Sequence, residues 1–254
     1  MIAHAALLEV ARRLGRASRI TVMTGAGVSA ASGVPTFRGP GGLWRTYRPE
    51  DLATPQAFAR DPRLVWQWYD WRRQVVAGCR PNPAHDVLAR WSQRPGFTLI
   101  TQNVDGLHER AGSRDVIRFH GSIWEVRCQD DCAGSPSAWR EDTVPLPVLP
   151  PPCPHCGGIL RPNIVWFGEG IDPDVLARCL SAAACDVFLT AGTSAIVYPA
   201  ASLVFEAKSQ GAFTVEVNLE ATPASDTLDV ALHGPAEEIL PAIDQEMQNP
   251  RIEN

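Results

Sequence analysis

The chain has 254 residues, 45% apolar and 20% charged, with a formal net charge of −5 at pH 7. A chain of this length buries roughly 70–75% of its unfolded surface without staples, and the composition excludes a disordered tail, a collagen-like fibre and a coiled coil. No apolar run approaches ~18 residues, so no membrane-spanning helix is expected. The 22 Arg and the single Lys, Lys208, are scattered among 28 acidic residues, which argues against nucleic acid or an anionic membrane as a partner.

Residues 1–18 lack a basic segment followed by an apolar one, so they do not read as a secretory signal. Arg12, Arg13 and Arg16 would suit a transit peptide, but Ile2, Ala6, Val10 and Leu14 step by four and favour a helix with one apolar stripe. A reducing, cytoplasmic compartment is therefore expected, where seven Cys point to metal or buried thiols rather than disulfides.

Ile20–Thr24 reads as a short buried strand running into Gly25-Ala26-Gly27-Val28-Ser29-Ala30. Residues 32–49, rich in Gly and Pro, predict a long loop. Arg63–Val76 reads as a helix with Leu64, Trp68 and Trp71 on one side, and Asn82-Pro83 opens another that runs to about Arg94. Phe97–Thr101 and Asp115–Phe119 read as strands. The region from Cys128 to Cys156 stands apart, with six Pro between Pro145 and Pro154 making a stiff connector. Beyond it come an extended Ile159–Phe167, a helix at Asp174–Ala184, a strand at Asp186–Leu189, a helix at Pro199–Gln210, a strand at Phe213–Val217 and a helix at Ala236–Gln248. Strands alternating with helices of this length predict a doubly wound parallel α/β sheet, Rossmann-like, with a small zinc-binding insert domain.

The Gly25–Ala30 segment fits G-x-G-x-x-G/A after a strand, where glycines let backbone approach a pyrophosphate; a tight structural turn is the plainer alternative. No strand ending in Asp or Glu follows about 20 residues on, as an ordinary dehydrogenase requires; Glu50 and Asp51 lie past the loop without one. Among six His, His120 stands out because it ends a predicted strand just before Gly121, where an α/β sheet presents its ligand crevice. Gln102, Asn103 and Asp105 follow the Phe97–Thr101 strand, either as ligand contacts or as caps of the next helix. Cys128-x3-Cys132 and Cys153-x2-Cys156, with 20 residues between the pairs, form a zinc signature; disulfides or a contribution from His155 are the alternatives. Four thiolates would close the coordination shell and make that zinc structural. Tyr69 and Arg72 share a helix face, either as a surface pair or as part of a pocket.

The stretch Gly25 to Arg38 resembles the first signature of the sirtuins, the NAD-dependent protein-lysine deacylases. Thr101-Gln102-Asn103-Val104-Asp105-Gly106-Leu107-His108 and Phe119-His120-Gly121-Ser122 resemble the second and third. Gly192-Thr193-Ser194 and Asn218-Leu219-Glu220 match later cofactor motifs, though a strand-to-helix turn and a helix cap would also explain them. The similarity runs from about Ile20 to Pro241. It implies a single catalytic unit over 1–254, with 20–120 and 165–241 as the NAD-binding domain and 121–164 as the zinc insert.

The resemblance implies that Gly25, Ala26, Gly27, Ala30, Thr36, Phe37, Arg38 and Trp44 bind the cofactor, together with Gln102, Asn103, Asp105, Gly192, Thr193, Ser194, Asn218, Leu219, Glu220 and Ala236. His120 is then the general base and Asn103 a second catalytic residue. NAD would be consumed: the acyl-lysine oxygen attacks the ribose C1′, nicotinamide leaves, and 2′-O-acyl-ADP-ribose and free lysine result. The segment from Leu52 to Arg73 resembles the class III sirtuins, in which a Tyr-x-x-Arg pair, here Tyr69 and Arg72, reads acidic acyl groups such as malonyl, succinyl or glutaryl. Ala53 matches a small residue at that pocket, and Val165, Phe167, Gly168 and Glu169 match a segment that pairs with substrate backbone. The expected partners are acyl-lysine proteins and NAD, and the expected state is a monomer. A mono-ADP-ribosyltransferase or a non-catalytic NAD or ADP-ribose sensor are the alternatives on the same scaffold. A nucleic-acid-binding zinc protein is disfavoured by Asp130, Asp131, Glu141 and Asp142 near the knuckles.

Overall fold

The computed structural model describes residues 4–38 and 42–249. Six parallel strands make the main sheet: β1 (Ile20–Thr24), β2 (Phe97–Thr101), β3 (Ile117–Arg118), β7 (Val187–Ala191), β8 (Phe213–Asn218) and β9 (Val230–His233). Their order is β3-β2-β1-β7-β8-β9. Three strands form a second sheet: β4 (Gly121–Cys128), β5 (Trp139–Arg140) and β6 (Leu160–Ile164), antiparallel with β4 in the centre. The helices are α1 (His4–Arg16), α2 (Pro49–Leu52), α3 (Pro55–Arg60), α4 (Pro62–Gly78), α5 (Pro83–Trp91), α6 (Leu107–Arg110), α7 (Pro173–Ala183), α8 (Leu203–Ser209) and α9 (Ala236–Met247). No helix among the described residues is long and apolar enough to cross a membrane.

The strands of the main sheet alternate between two cores, because successive side chains point to opposite faces. Ile20, Val22, Leu99, Val187 and Leu189 pack with α1, α5 and α9. Met23, Ile100 and Phe188 pack with α7 and α8 on the other face. This explains why β1 and β7 are buried throughout and read as continuous apolar runs.

A third core joins the small sheet to α2–α4: Leu52, Phe58, Val65 and Trp66 pack with Ile123, Val126, Cys128 and Leu160. Two separate chain segments therefore build the smaller layer. Helix α4 is bolted to it by polar contacts as well. Trp66 Nε1 donates to the Leu160 carbonyl at 2.7 Å, Arg73 donates to the Glu141 and Thr143 carbonyls at 2.6 and 3.0 Å, and the Leu146 amide donates to Asp70 at 2.9 Å.

Several expectations are corrected. The first helix buries Leu7, Val10, Ala11 and Leu14, a stripe stepping by three and four; Ile2 lies outside the described residues. Leu64 and Trp71 of α4 are 42% and 38% exposed, and only Trp68 of that predicted trio is buried. The strand predicted at Asp115–Phe119 shortens to Ile117–Arg118. The extended stretch at Ile159–Phe167 is strand only over Leu160–Ile164. Inside the predicted 32–49 loop, Leu43–Arg45 makes a single 3-10 turn.

The strand order reverses between β1 and β7, and there the loops that follow them touch. The Gly27 amide donates to the Gly192 carbonyl at 2.8 Å, and the Gly25 amide to the Ala191 carbonyl at 2.9 Å. A Cβ on Gly192 would sit 2.4 Å from the Val28 nitrogen, and its φ is +60°. Gly192→Ala should therefore destabilise the protein by about 2 kcal/mol or more, a fall of roughly 4–8 °C in Tm for a chain this long. A calorimetric melt unchanged within a degree would contradict it.

Candidate active site and metal centre

The crevice lies at the carboxyl ends of β1, β2, β7 and β8, where the strand order reverses. Gly25, Ala26, Gly27 and Ala30 lie in the turn and 3-10 helix after β1. Gly192, Thr193 and Ser194 follow β7, and Asn218 ends β8. Gln102 Nε2 donates to Thr193 Oγ1 at 3.0 Å, spanning the loops after β2 and β7. Asn218 Nδ2 donates to the Glu220 carbonyl at 3.0 Å and so shapes its own turn; Leu219 and Glu220 are exposed, while Ala236 is buried in the first turn of α9.

Asn103 is buried, and its Nδ2 donates to the Gly25 carbonyl at 3.0 Å and to Ser29 Oγ at 3.1 Å. Ser29 in turn donates to Asp105 Oδ2 at 2.7 Å. The other Asp105 oxygen accepts the Leu107 amide at 2.9 Å from one position before the N-cap, which is Gly106 and carries no side-chain cap. Two predicted contacts from one strand end, Asn103 and Asp105, are thereby locked to the segment that follows another.

His120 sits at the junction of the two sheets, between β3 and β4. Its Nδ1 lies 3.1 Å from the Gln102 carbonyl. A carbonyl only accepts, so Nδ1 carries the proton and Nε2 keeps a lone pair. Burial pushes the imidazole below its usual range, the Gln102 hydrogen bond opposing it. The neutral base form is therefore the resting form at pH 7.

Behind this wall lies a polar network that sequence reading missed. His85 Nδ1 accepts the Asn82 amide at 3.3 Å in the capping box of α5, so its Nε2–H faces Ser29 Oγ at 3.4 Å. His108 Nε2 meets Thr24 Oγ1 at 2.9 Å, Thr24 donates to Thr101 Oγ1 at 2.8 Å, and Thr101 accepts the Asn103 amide at 3.1 Å. The two imidazoles are 4.8 Å apart, centroid to centroid. The signal was present: Ser29 and His108 lie inside the quoted motifs, and His85 sits three residues after the helix-capping Asn82.

A second cluster surrounds α4. Arg72, 7% exposed, stands over the Phe37 and Trp68 rings at 4.9 and 4.8 Å. Trp44 stacks on Trp68 at 5.8 Å and meets Phe167 edge-on at 6.2 Å. Thr36 and Phe37 accept the Leu43 and Trp44 amides at 2.8 and 3.1 Å, which folds that loop back on itself; Arg38 is exposed. Tyr69 Oη accepts from Trp166 Nε1 at 2.9 Å, and burial pushes its hydroxyl up to about 12. Among the described residues Arg72 has no hydrogen-bond acceptor, and burial presses its guanidinium below the usual range.

The predicted substrate segment runs beside this cluster. The Val165 amide donates to the His120 carbonyl at 3.1 Å and the Phe167 amide to the Ala53 carbonyl at 2.9 Å, while Gly168 is exposed. Glu169, expected on the substrate, is already engaged: Arg161 clamps its carboxylate at 2.6 and 2.8 Å. It holds the segment in shape instead.

Cys128, Cys132, Cys153 and Cys156 present four sulfurs within 4.8 Å of one another. The Cys128–Cys156 and Cys132–Cys153 separations are 3.7 and 3.9 Å. A tetrahedron with Zn–S bonds of ~2.3 Å has edges of about 3.8 Å, and the Gly158 amide points at Cys156 Sγ at 3.4 Å, as suits a thiolate. The sulfurs fit zinc, and four of them leave no open position for chemistry.

A parallel sheet with a strand-end crevice, a neutral imidazole on its rim and a tetrathiolate knuckle beside it define a dinucleotide-using α/β protein with a structural metal. The Sir2 family pattern matches residues 25–199, and the chain belongs to the Sir2 family. It is 53% identical over 213 residues to an NAD-dependent protein deacylase of Aquifex aeolicus (strain VF5), covering 83% of this chain and 87% of that one. A solved Sir2 homologue mutant–ADP ribose complex superposes with a TM-score of 0.89 at 44% identity, covering 94% of this chain and 96% of the other. A crystal structure of a Sir2 homologue–NAD complex superposes with a TM-score of 0.85 at 43% identity, covering 94% of each.

The buried imidazoles make stability depend on pH. Burial holds His108 at about 4, and burial with the neighbouring His108 holds His85 at about 3. Unfolded, both take up protons below pH ~6.5. Their neutral, folded form thus contributes stability above pH 6.5 that is lost as pH falls toward 4. Urea unfolding should show a loss of more than about 2 kcal/mol between pH 7 and 4.5. His108→Gln should shrink that loss, while acid release of metal, common to both proteins, cancels. Equal losses in the two proteins would remove His108 as the cause.

Proposed function

We propose that this protein is an NAD-dependent protein-lysine deacylase that prefers acidic acyl groups, malonyl, succinyl or glutaryl, and acts weakly on acetyl-lysine. The deacylase reading rests on family membership and on the deacylase relative. The acyl preference rests on one observation: Arg72 lies on α4 over the Phe37 and Trp68 rings with no hydrogen-bond acceptor among the described residues. Ring faces leave the N–H donors of a guanidinium unused, and a carboxylate at the end of an acyl chain takes two of them at once. Tyr69 adds a second donor from the same helix face, and Ala53, buried beside Phe167, keeps the wall thin.

The crevice residues suit NAD. The glycine turn brings backbone amides close, Asn103 and Gln102 offer neutral polar groups, and Asn218 with the buried Ala236 lies where an adenosine end would rest. NAD, when bound, supplies the electrophilic ribose carbon and the hydroxyl that takes the acyl group. His120 Nε2 takes the proton from that hydroxyl, and Gln102 fixes the ring by holding Nδ1–H. Asn103, tied to Gly25 and Ser29, keeps its Oδ1 for substrate or water. Zinc on the four cysteines holds β4 and β6 together and takes no part in the chemistry.

Two measurements test the reading. His120→Ala should lower turnover about 10²–10⁴-fold while NAD binding persists, and the acid limb of kcat/KM should lie below pH 6.5, because burial lowers the imidazole. Near-normal turnover would remove His120 from the reaction. For the acyl group, Arg72→Met should cost ~2–5 kcal/mol in desuccinylation, roughly 30-fold to several-thousand-fold, and far less in deacetylation. Mass spectrometry of one peptide carrying acetyl, malonyl, succinyl or glutaryl lysine, with and without NAD, reads both. Equal losses would make Arg72 structural, and nicotinamide release without deacylation would favour ADP-ribosyl transfer instead.

A further inference from the structure

The Tyr69 hydroxyl has one hydrogen-bond partner among the described residues, Trp166 Nε1 at 2.9 Å. An indole N–H can only donate, so the hydroxyl oxygen must accept there and its own proton is left unclaimed. An ionised carboxylate can only accept, so it needs that proton. We infer that Trp166 is a positioning residue for acyl selection: its N–H fixes the polarity of Tyr69, which then donates to the acyl carboxylate alongside Arg72. This rests on the acidic-acyl reading above.

Trp166 is itself held from two sides. Arg161 stacks its guanidinium 3.6 Å from the indole centroid. The same Arg161 grips Glu169 through both guanidinium nitrogens, and Glu169 Oε2 accepts the Trp166 amide at 2.8 Å. Phe58 packs on the indole at 5.1 Å. The ring cannot swing away without losing its stack on Arg161, which is itself fixed by an ion pair to Glu169 largely shut off from water. Burial also keeps the Tyr69 proton in place, its hydroxyl lying at about 12. The indole, a residue that touches no substrate in this account, thus sets the direction of a hydrogen bond one residue removed from it.

The test is a double-mutant cycle read as the ratio of desuccinylation to deacetylation. Trp166→Phe should lower kcat/KM for the succinyl peptide about 3- to 10-fold, mostly through KM. Deacetylation should stay within about twofold, and succinyl-peptide binding to the NAD-free protein should weaken in parallel. In a Tyr69→Phe background the same change should have no further effect on the ratio. Site-specific benzothienylalanine at position 166, which keeps the ring volume and lacks the N–H, serves if Trp166→Phe melts early. A ratio that does not move in either variant, while Arg72→Met lowers it, overturns this inference alone. If Arg72→Met also leaves it unmoved, the acidic-acyl reading falls and this inference with it. A loss of equal size with and without the Tyr69 hydroxyl overturns the inference too, because Trp166 would then act by another route.

Discussion

The backbone contact between the Gly25–Gly27 turn and Gly192 is the constraint on which the rest of the site depends. Two loops from adjacent parallel strands meet there with no side chain between them, and a Cβ on any of the three glycines would lie within 3 Å of an opposing atom. The close approach fixes where the Gly25 carbonyl points, and Asn103 hangs from that carbonyl. Ser29, four residues along the same turn, collects Asn103, His85 and Asp105 on one hydroxyl. The strand-end side chains are therefore placed by the β1 turn as much as by their own strand.

The cluster around α4 is organised on a different principle. Arg72, the Tyr69 hydroxyl proton and the buried Trp68 Nε1 are donors without acceptors among the described residues, and they arise from one stretch of α4. Elsewhere on the same helix, Trp66 Nε1 and one terminal nitrogen of Arg73 find carbonyls of the small sheet and its linker, while Arg73 Nε is left without an acceptor among the described residues. Neutral polar groups line the carboxyl ends of β1, β2 and β7, and a cation lies among the rings beside α4.

Much of this was legible in the sequence because it is local. β2 and the cores of β1, β8, α5 and α9 follow from apolar period and from Asn82-Pro83 as a helix start. The four cysteines announced themselves by spacing. What was missed depends on partners far along the chain. Within Gly121–Cys128 the stretch Trp124–Cys128 alternates in burial, but only pairing with Leu160–Ile164 makes the segment a strand. β9 is four residues long and takes its identity from the Asn218 strand beside it. Trp71 and Leu64 look like core residues by type, yet α4 buries Val65, Trp66, Tyr69, Arg72 and Arg73 instead, with Trp66 and Arg73 turned toward the small sheet. Glu169 matched a substrate motif, and its capture by Arg161, eight residues earlier, shows no local periodicity.

The small sheet and the aromatic cluster around Arg72 are mechanically one object, joined through α4. Arg73 and Asp70 hold α4 to the 141–146 linker, and their neighbours Arg72 and Tyr69 face the other way, toward Phe37 and Trp166. Because a helix is stiff over three or four residues, the position of the Arg72 guanidinium is set by the linker that follows the first cysteine pair. The metal cluster sits at the far end of the same sheet, between β4 and the strand that leads to Trp166. Packing that sheet against α4 keeps the two parts of the aromatic cluster in register: α4 with Arg72 and Tyr69, and the 164–169 segment with the Trp166 indole.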